Sequence, residues 1–366
     1  MNSIGIYIHV PFCRGKCPYC DFYSVNLSDE LLTAYTDETI RRIGELKQYG
    51  VDADTIYFGG GTPSLLGGRN ILRIMSSLSE CVEIAPNAEI TVEANPSSDL
   101  GEFLRGCSAA GVNRLSLGMQ SAVPRELAAI GRSHSPDDIL RAMDCAHSVG
   151  IENISLDLML GIPHQTSDSL NTSLEFINKS APSHVSAYML KIEEGTPFYD
   201  ARNSLIISDD DGMADLYEQA FSALEGFGYA QYEISNAARN GMVSRHNVKY
   251  WNCDEYIGLG PAAHGFFTGR RYFFGRSLTD YLNGIEPQFD CIGGTEDEYV
   301  MLRLRLAEGL TECGMVERFG HGIPAEIRSK AVHFEKFGLC RCDEKGISLT
   351  RQGMLVSNGI IAELLD

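Results

Sequence analysis

The sequence predicts an α/β protein: a partial (β/α)6 TIM-like barrel followed by a smaller, mainly helical, winged-helix-like module. Three observations carry this. From residue 1 to about 195, six short apolar runs alternate with six helical patterns, and repeated strand–helix units specify a parallel sheet with right-handed crossovers. The apolar runs are dense in Val, Ile, Leu or Tyr, as expected of strands buried in a parallel sheet. Beyond residue 290, short helical patterns lead into a hairpin pattern. Six units are fewer than the eight of a closed barrel, so the barrel is open on one side, with its chemistry at the carboxyl ends of the strands.

In chain order, the predicted strands are 4–10, 55–58, 89–94, 114–119, 153–160 and 184–192. The helices between them are 29–49, 69–81, 98–110, 124–130, 136–149 and 167–178. Ser28 caps the first helix and Gly50 stops it, while Ser135 and Gly150 bracket the fifth. This core spans residues 1–195. A barrel-completing segment, 196–285, carries a helix over 209–226, a short strand over 231–236, a loop around the only Trp, and a small-residue loop over 256–265. In the last segment, 286–366, Thr295 opens a capping-box helix to 307. A second helix runs from Thr311 to Gly320 and a third covers 324–337; the hairpin pairs 339–341 with 347–349, and a last helix runs from Thr350 to 365.

Composition narrows the function. A net charge of −19 argues against a nucleic-acid binder and against a polybasic membrane-surface protein. No apolar run approaches the ~20 residues that span a bilayer. The N-terminus enters a strand pattern directly, without a signal-peptide pattern, so a cytoplasmic protein is expected. The cysteine count of 11 is odd in a long chain, which argues against a disulfide framework. Most of the cysteines outside the N-terminal loop are scattered and read as small buried hydrophobes.

Cys13, Cys17 and Cys20 fall within eight residues, directly after the first strand, and no fourth cysteine follows within sixty residues. Structural zinc needs four ligands, and His9 is the one nearby candidate for a fourth. Three thiolates can instead hold three corners of a [4Fe–4S] cluster, which normally takes four cysteines. The fourth iron is then open to S-adenosylmethionine (SAM), and cluster and SAM together perform chemistry beyond any side chain.

The other polar motifs fall at strand ends. Gly59-Gly60-Gly61-Thr62 lets backbone approach a ligand closely. Glu93, before Ala94-Asn95-Pro96, offers a carboxylate to an ammonium or ribose. Gln120 and Arg132 suit the ribose and carboxylate of a nucleoside amino acid. Asp157 lies between leucines, where an acid is costly to bury unless paired. Lys191 and Glu193 close the sixth strand and read equally as site or rim. In the stretch from Arg245 to Trp251, His246 can bind a metal or heme iron beside aromatics able to stack on a macrocycle; a surface loop pinned by a buried Trp is the alternative.

Taken together, these motifs resemble, along nearly the whole chain, the radical SAM proteins related to oxygen-independent coproporphyrinogen III oxidase. The heme-chaperone branch is the nearer match. The oxidase branch extends its cluster motif to a further cysteine, where this chain has Phe22. His246-Asn247-Val248-Lys249-Tyr250-Trp251 is similar to the chaperones' His-Asn-x-x-Tyr-Trp heme-binding motif, and the short N-terminus lacks the oxidase's leading extension. The resemblance implies that Cys13, Cys17 and Cys20 hold the cluster, and that Tyr7, Tyr19, Gly60, Gly61, Thr62, Glu93, Gln120, Arg132 and Asp157 line the SAM site. Lys191 and His264 fall where relatives offer further SAM contacts from other residue types, and His246 is the heme-linked residue. It also implies a cytoplasmic bacterial protein, able to dimerise, that delivers heme to hemoproteins such as respiratory enzymes. The oxidase reaction, a radical decarboxylation of a porphyrinogen propionate, is the alternative on the same cofactors.

Overall fold

Six parallel strands follow one another in chain order across the middle of a twelve-stranded sheet. The computed structural model describes residues 3–96 and 100–366. The six strands are β1 (Ile4–Val10), β2 (Asp52–Gly60), β3 (Glu83–Ala94), β4 (Arg114–Gln120), β5 (Asn153–Leu160) and β6 (His184–Met189). The crossover helices are α1 (Asp29–Glu45), α2 (Gly68–Cys81), α3 (Leu100–Ala109), α4 (Pro124–Ala129), α5 (Pro136–Ser148) and α6 (Ser167–Ser180). The predicted start of the third helix, at residues 98 and 99, lies outside the described residues.

Local chemistry sets these boundaries. The Ser28 hydroxyl accepts from the Leu31 amide at the start of α1, and a Ser135–Asp138 capping box opens α5. A 3-10 turn extends α1 to Tyr49, where Gly50 takes the left-handed conformation at φ 57°. The sixth strand stops at Met189, short of its predicted end at 192, because its partner β5 ends at the paired residue Leu160.

The sheet extends further on both sides than the sequence indicates. Helix α7 (Asp210–Gly226) leads into β7 (Ala230–Gln231) and β8 (Asn236–Ala238), which split the single predicted strand and run antiparallel beyond β6. The Trp loop is a short helix, α8 (Arg245–Trp251). The Glu89 carboxylate satisfies its first amides, accepting from Arg245 at 3.1 Å and His246 at 3.0 Å. The predicted small-residue loop instead forms β9 (Tyr256–Leu259), parallel to β1, and β10 (His264–Phe267). Gly258 makes this possible, because a Cβ there would collide with the His264 carbonyl. Strands β11 (Arg270–Phe273) and β12 (Gln288–Ile292) complete that side. The order is β12-β11-β10-β9-β1-β2-β3-β4-β5-β6-β8-β7, and the two edge strands do not pair with each other.

The C-terminal elements are α9 (Glu296–Arg303), β13 (Leu310–Thr311), α10 (Glu312–Phe319), α11 (Ala325–Glu335), β14 (Cys340–Cys342), β15 (Gly346–Leu349), α12 (Arg351–Leu355) and α13 (Ser357–Leu365). Their three strands form a small sheet in the order β13-β15-β14. Leu304, Met315, Ile347 and Ile361 belong to a core of their own, which also takes in Tyr256 and Phe266 of the main sheet. No helix among the described residues is long and apolar enough to cross a membrane.

Candidate cofactor and ligand site

The carboxyl ends of β2 to β6 open into a central cavity of about 560 Å3. Tyr19, Gly60, Gly61, Thr62, Glu93, Gln120, Arg132 and Asp157 line it, and so does Cys20. Side chains and backbone from six strand–loop units, β1 to β6, thus reach one space, which is what a parallel sheet with short crossovers provides.

The cysteine loop leaves β1 and is anchored at both ends. The Val25 amide donates to Pro11 at 2.7 Å, and the Gly61 amide donates to Val10 at 2.8 Å. Gly61 has no room for a side chain: a Cβ would lie 2.7 Å from the Phe12 carbonyl and 2.9 Å from that of Val10. The Gly-rich turn and the cysteine loop are therefore pressed together. A chain of polar contacts continues the link. Cys13 Sγ lies 3.4 Å from the Thr62 hydroxyl, which accepts from Asn95 at 3.2 Å. Asn95 accepts in turn from Arg132, and Arg132 donates to the Tyr19 hydroxyl at 2.9 Å.

All three cysteines are half-buried and free. Burial pushes the Cys20 thiol up, and the neighbouring Cys17 and Cys13 sulfurs push it further. Three neighbouring thiols on one loop, with Cys20 at the cavity, fit a cluster that replaces their protons with iron. Among the described residues no three His, Cys, Asp or Glu side chains converge on a single ion. Ligands spaced around a cuboidal cluster do not converge in that way.

The wall carries two carboxyls. Burial raises Glu93 to about 7, against a 2.7 Å hydrogen bond from the Tyr57 hydroxyl that favours the ionised form. Burial likewise raises Asp157 to about 6, against a 3.0 Å bond from Ser116. Both are poised to ionise when a cation enters. Gln120 sits at φ 63°, a conformation most residues avoid, and accepts from Tyr188 at 2.7 Å. A strained backbone at a strand end, aiming an amide into a cavity, is characteristic of ligand sites. Sequence reasoning missed Tyr188 and Arg114. Arg114 is buried at the amino end of β4, lines the same cavity, and helps stabilise the charged form of both carboxyls. Its one sequence signal is an arginine opening an otherwise apolar strand pattern.

The remaining candidates stand elsewhere. Lys191 and Glu193 pair at 2.6 Å on the rim of the central cavity. Tyr7, one strand over from Tyr57, lines a second cavity instead. His246 is fully buried in α8. Its Nδ1 lies 2.8 Å from the Thr55 hydroxyl and its Nε2 2.8 Å from the Tyr250 hydroxyl, and its ring stacks on Tyr57. Burial lowers its pKa to about 3, so this imidazole is neutral and both nitrogens are engaged. His264 is exposed and lines the second cavity.

That second cavity, also about 560 Å3, is walled by Tyr7, Tyr23, Tyr250, Tyr256, Phe273 and Phe274. Asp21 and Phe22 line both cavities, so the two meet at the end of the cysteine loop. Phe22 is 66 % exposed at that junction.

A cysteine trio facing a glycine-rich turn on an open parallel barrel defines a radical SAM protein. The Radical SAM superfamily model matches residues 7–177, and the fold is similar to that of coproporphyrinogen III oxidase (HemN) from Escherichia coli, with a TM-score of 0.84 at 20 % identity over 100 % of this chain and 90 % of that one. The chain belongs more narrowly to the HemW family. It is 34 % identical to the heme chaperone HemW of Bacillus subtilis across 98 % of both chains, and 37 % identical to that of Escherichia coli across 84 % of both.

Proposed function

We propose that this protein is a heme chaperone that carries a [4Fe–4S] cluster and SAM and passes heme to hemoproteins, respiratory enzymes among them. The observation that carries the reading is the second cavity. It is lined with aromatic rings, it joins the central cavity at Phe22, and it lies beside the loop that would hold the cluster. The full-length similarity to proteins named as heme chaperones supports it.

Cys13, Cys17 and Cys20 would hold the cluster and leave one iron for SAM. When bound, cluster and SAM supply one-electron chemistry that side chains cannot. The protein's own groups bind and orient. Glu93 takes the SAM ammonium, Gln120 and Arg132 take ribose and carboxylate, and Asp157 adds a second anionic contact. Gly60 and Gly61 bring backbone within reach of the ligand, with Thr62 beside them, and Tyr19 fixes Arg132. The three-part division at residues 195 and 285, a cytoplasmic location and a homodimer belong to the same reading.

The test is anaerobic reconstitution of the cluster followed by parallel titration with heme and assay with coproporphyrinogen III. The expected result is saturable heme binding and no release of carbon dioxide. Conversion of coproporphyrinogen III without heme binding would identify an oxidase instead.

A further inference from the structure

We propose that heme binds in the aromatic cavity with His264, not His246, as its iron ligand. This rests on the heme-chaperone reading above and adds the location and the ligating residue.

Three imidazoles stand on or behind the wall of this cavity. His246 has both nitrogens engaged, by Thr55 and Tyr250, and no exposed surface. His9 is in a similar state, bonded to the Tyr7 hydroxyl at 3.2 Å and the Tyr23 carbonyl at 3.0 Å. An iron–nitrogen bond to either would first break a buried hydrogen bond and leave its partner unsatisfied, an unfavourable exchange. His264 is the exposed one. Its ring stacks on Phe273 at 5.6 Å, and its backbone pairs with Phe273 where β10 meets β11. The imidazole is thus presented from a sheet, a rigid base for a ligand.

The rest of the cavity suits the same cargo. A volume of about 560 Å3 is that of a site for a cofactor-sized molecule. Tyrosine and phenylalanine rings offer faces to a planar macrocycle. Arg276 lines the cavity and pairs with Asp21 at 3.1 Å, half-exposed, so its guanidinium can exchange that partner for a propionate. An accessible imidazole can hold heme iron, and aromatic walls with one arginine suit the macrocycle and a propionate. Phe22 then stands between heme and the central cavity.

The experiment is titration of the full chain with ferric heme, followed by Soret absorbance and low-temperature electron paramagnetic resonance. For His264→Ala we expect affinity to fall roughly tenfold or more and the axial-ligand spectrum to change, with partial rescue by added imidazole and an unchanged melting temperature. Arg276→Ala should weaken binding less and leave the axial spectrum intact. His246→Ala should lower the melting temperature but keep the wild-type axial spectrum. If the wild type binds no heme, the chaperone reading itself falls. If the wild type binds and His264→Ala keeps its affinity and spectrum, the ligand assignment is overturned and the chaperone reading survives. The assignment to His264 is overturned equally if His246→Ala melts like the wild type yet loses the axial spectrum.

Discussion

Replacing Cys17 by Ser is expected to abolish the iron–sulfur absorbance of the reconstituted protein. Serine is close in size to cysteine, and the turn it would occupy is held by backbone, the Cys20 amide donating to the Cys17 carbonyl at 3.1 Å. The fold therefore survives, and the melting temperature should stay near that of the wild type. The thiolate is lost, because a hydroxyl does not ionise near neutral pH and is a poor partner for iron in such clusters. With one iron already left to SAM, only two protein ligands would remain, too few to retain a cuboidal cluster. Absorbance and iron content after anaerobic reconstitution check this, and a variant with a full complement of iron and sulfide would remove Cys17 from the ligand set.

SAM affinity is expected to rise about tenfold per pH unit up to pH 7 and then level off. The sign follows from Glu93. Burial holds this carboxyl at about 7 when the site is empty, so below pH 7 it is mostly neutral and must release a proton before it can accept an ammonium. Asp157, held at about 6, steepens the dependence at lower pH. The same shift bears on folding. A carboxyl raised above its unfolded value contributes stability at low pH, and that contribution is lost as pH rises from the unfolded value through about 7. The unliganded protein should therefore lose stability over the range in which SAM binding strengthens. Equilibrium binding of SAM to the reconstituted protein between about pH 5.5 and 8 measures this. Glu93→Gln should bind weakly and lose the step at pH 7. An affinity that is flat across the range would show that SAM does not engage Glu93.

How legible the molecule was in its sequence depended on how local each signal is. The six core strands could be read because each carries a dense row of apolar residues, such as Ile154, Leu156, Leu158 and Leu160 on one face of β5. Gly60, Glu93, Gln120 and Asp157 in the lining of the central cavity could be read because they lie in or directly after such a run. Strand β9 was missed because Gly258, Gly260 and Pro261 make it look like a loop. It is a strand because Gly258 admits the His264 carbonyl and because β1 offers it a free edge. Helix α8 was missed because seven residues with no apolar repeat carry no helical signal. Its first amides are satisfied by Glu89, a partner remote in sequence. The sequence around His246 drew attention to this segment, but it could not show that Thr55 and Tyr250 close over both ring nitrogens. The aromatic cavity was invisible for a similar reason. Its walls come from three separate stretches, residues 7–23, 250–264 and 273–290, and only the folded sheet brings them together.

The fold also bears on how the two cofactor types would coexist. The cysteine loop, the central cavity and the aromatic cavity meet at Asp21 and Phe22. A cysteine at position 22, as in the oxidase branch, would add another thiol at that junction. An exposed phenylalanine instead presents an apolar face to whatever occupies the aromatic cavity. On the proposed function, the cluster would then stand beside the heme cargo.

The most direct measurement is transfer. Heme-loaded, cluster-reconstituted protein is mixed with an apo-hemoprotein of the respiratory type, and the absorbance of donor and acceptor is followed together. The expected result is that the acceptor gains its holo spectrum as the donor loses its own, faster than from free heme at the same concentration. A donor that keeps its heme, or an acceptor that fills no faster than from free heme, would contradict a role in heme delivery.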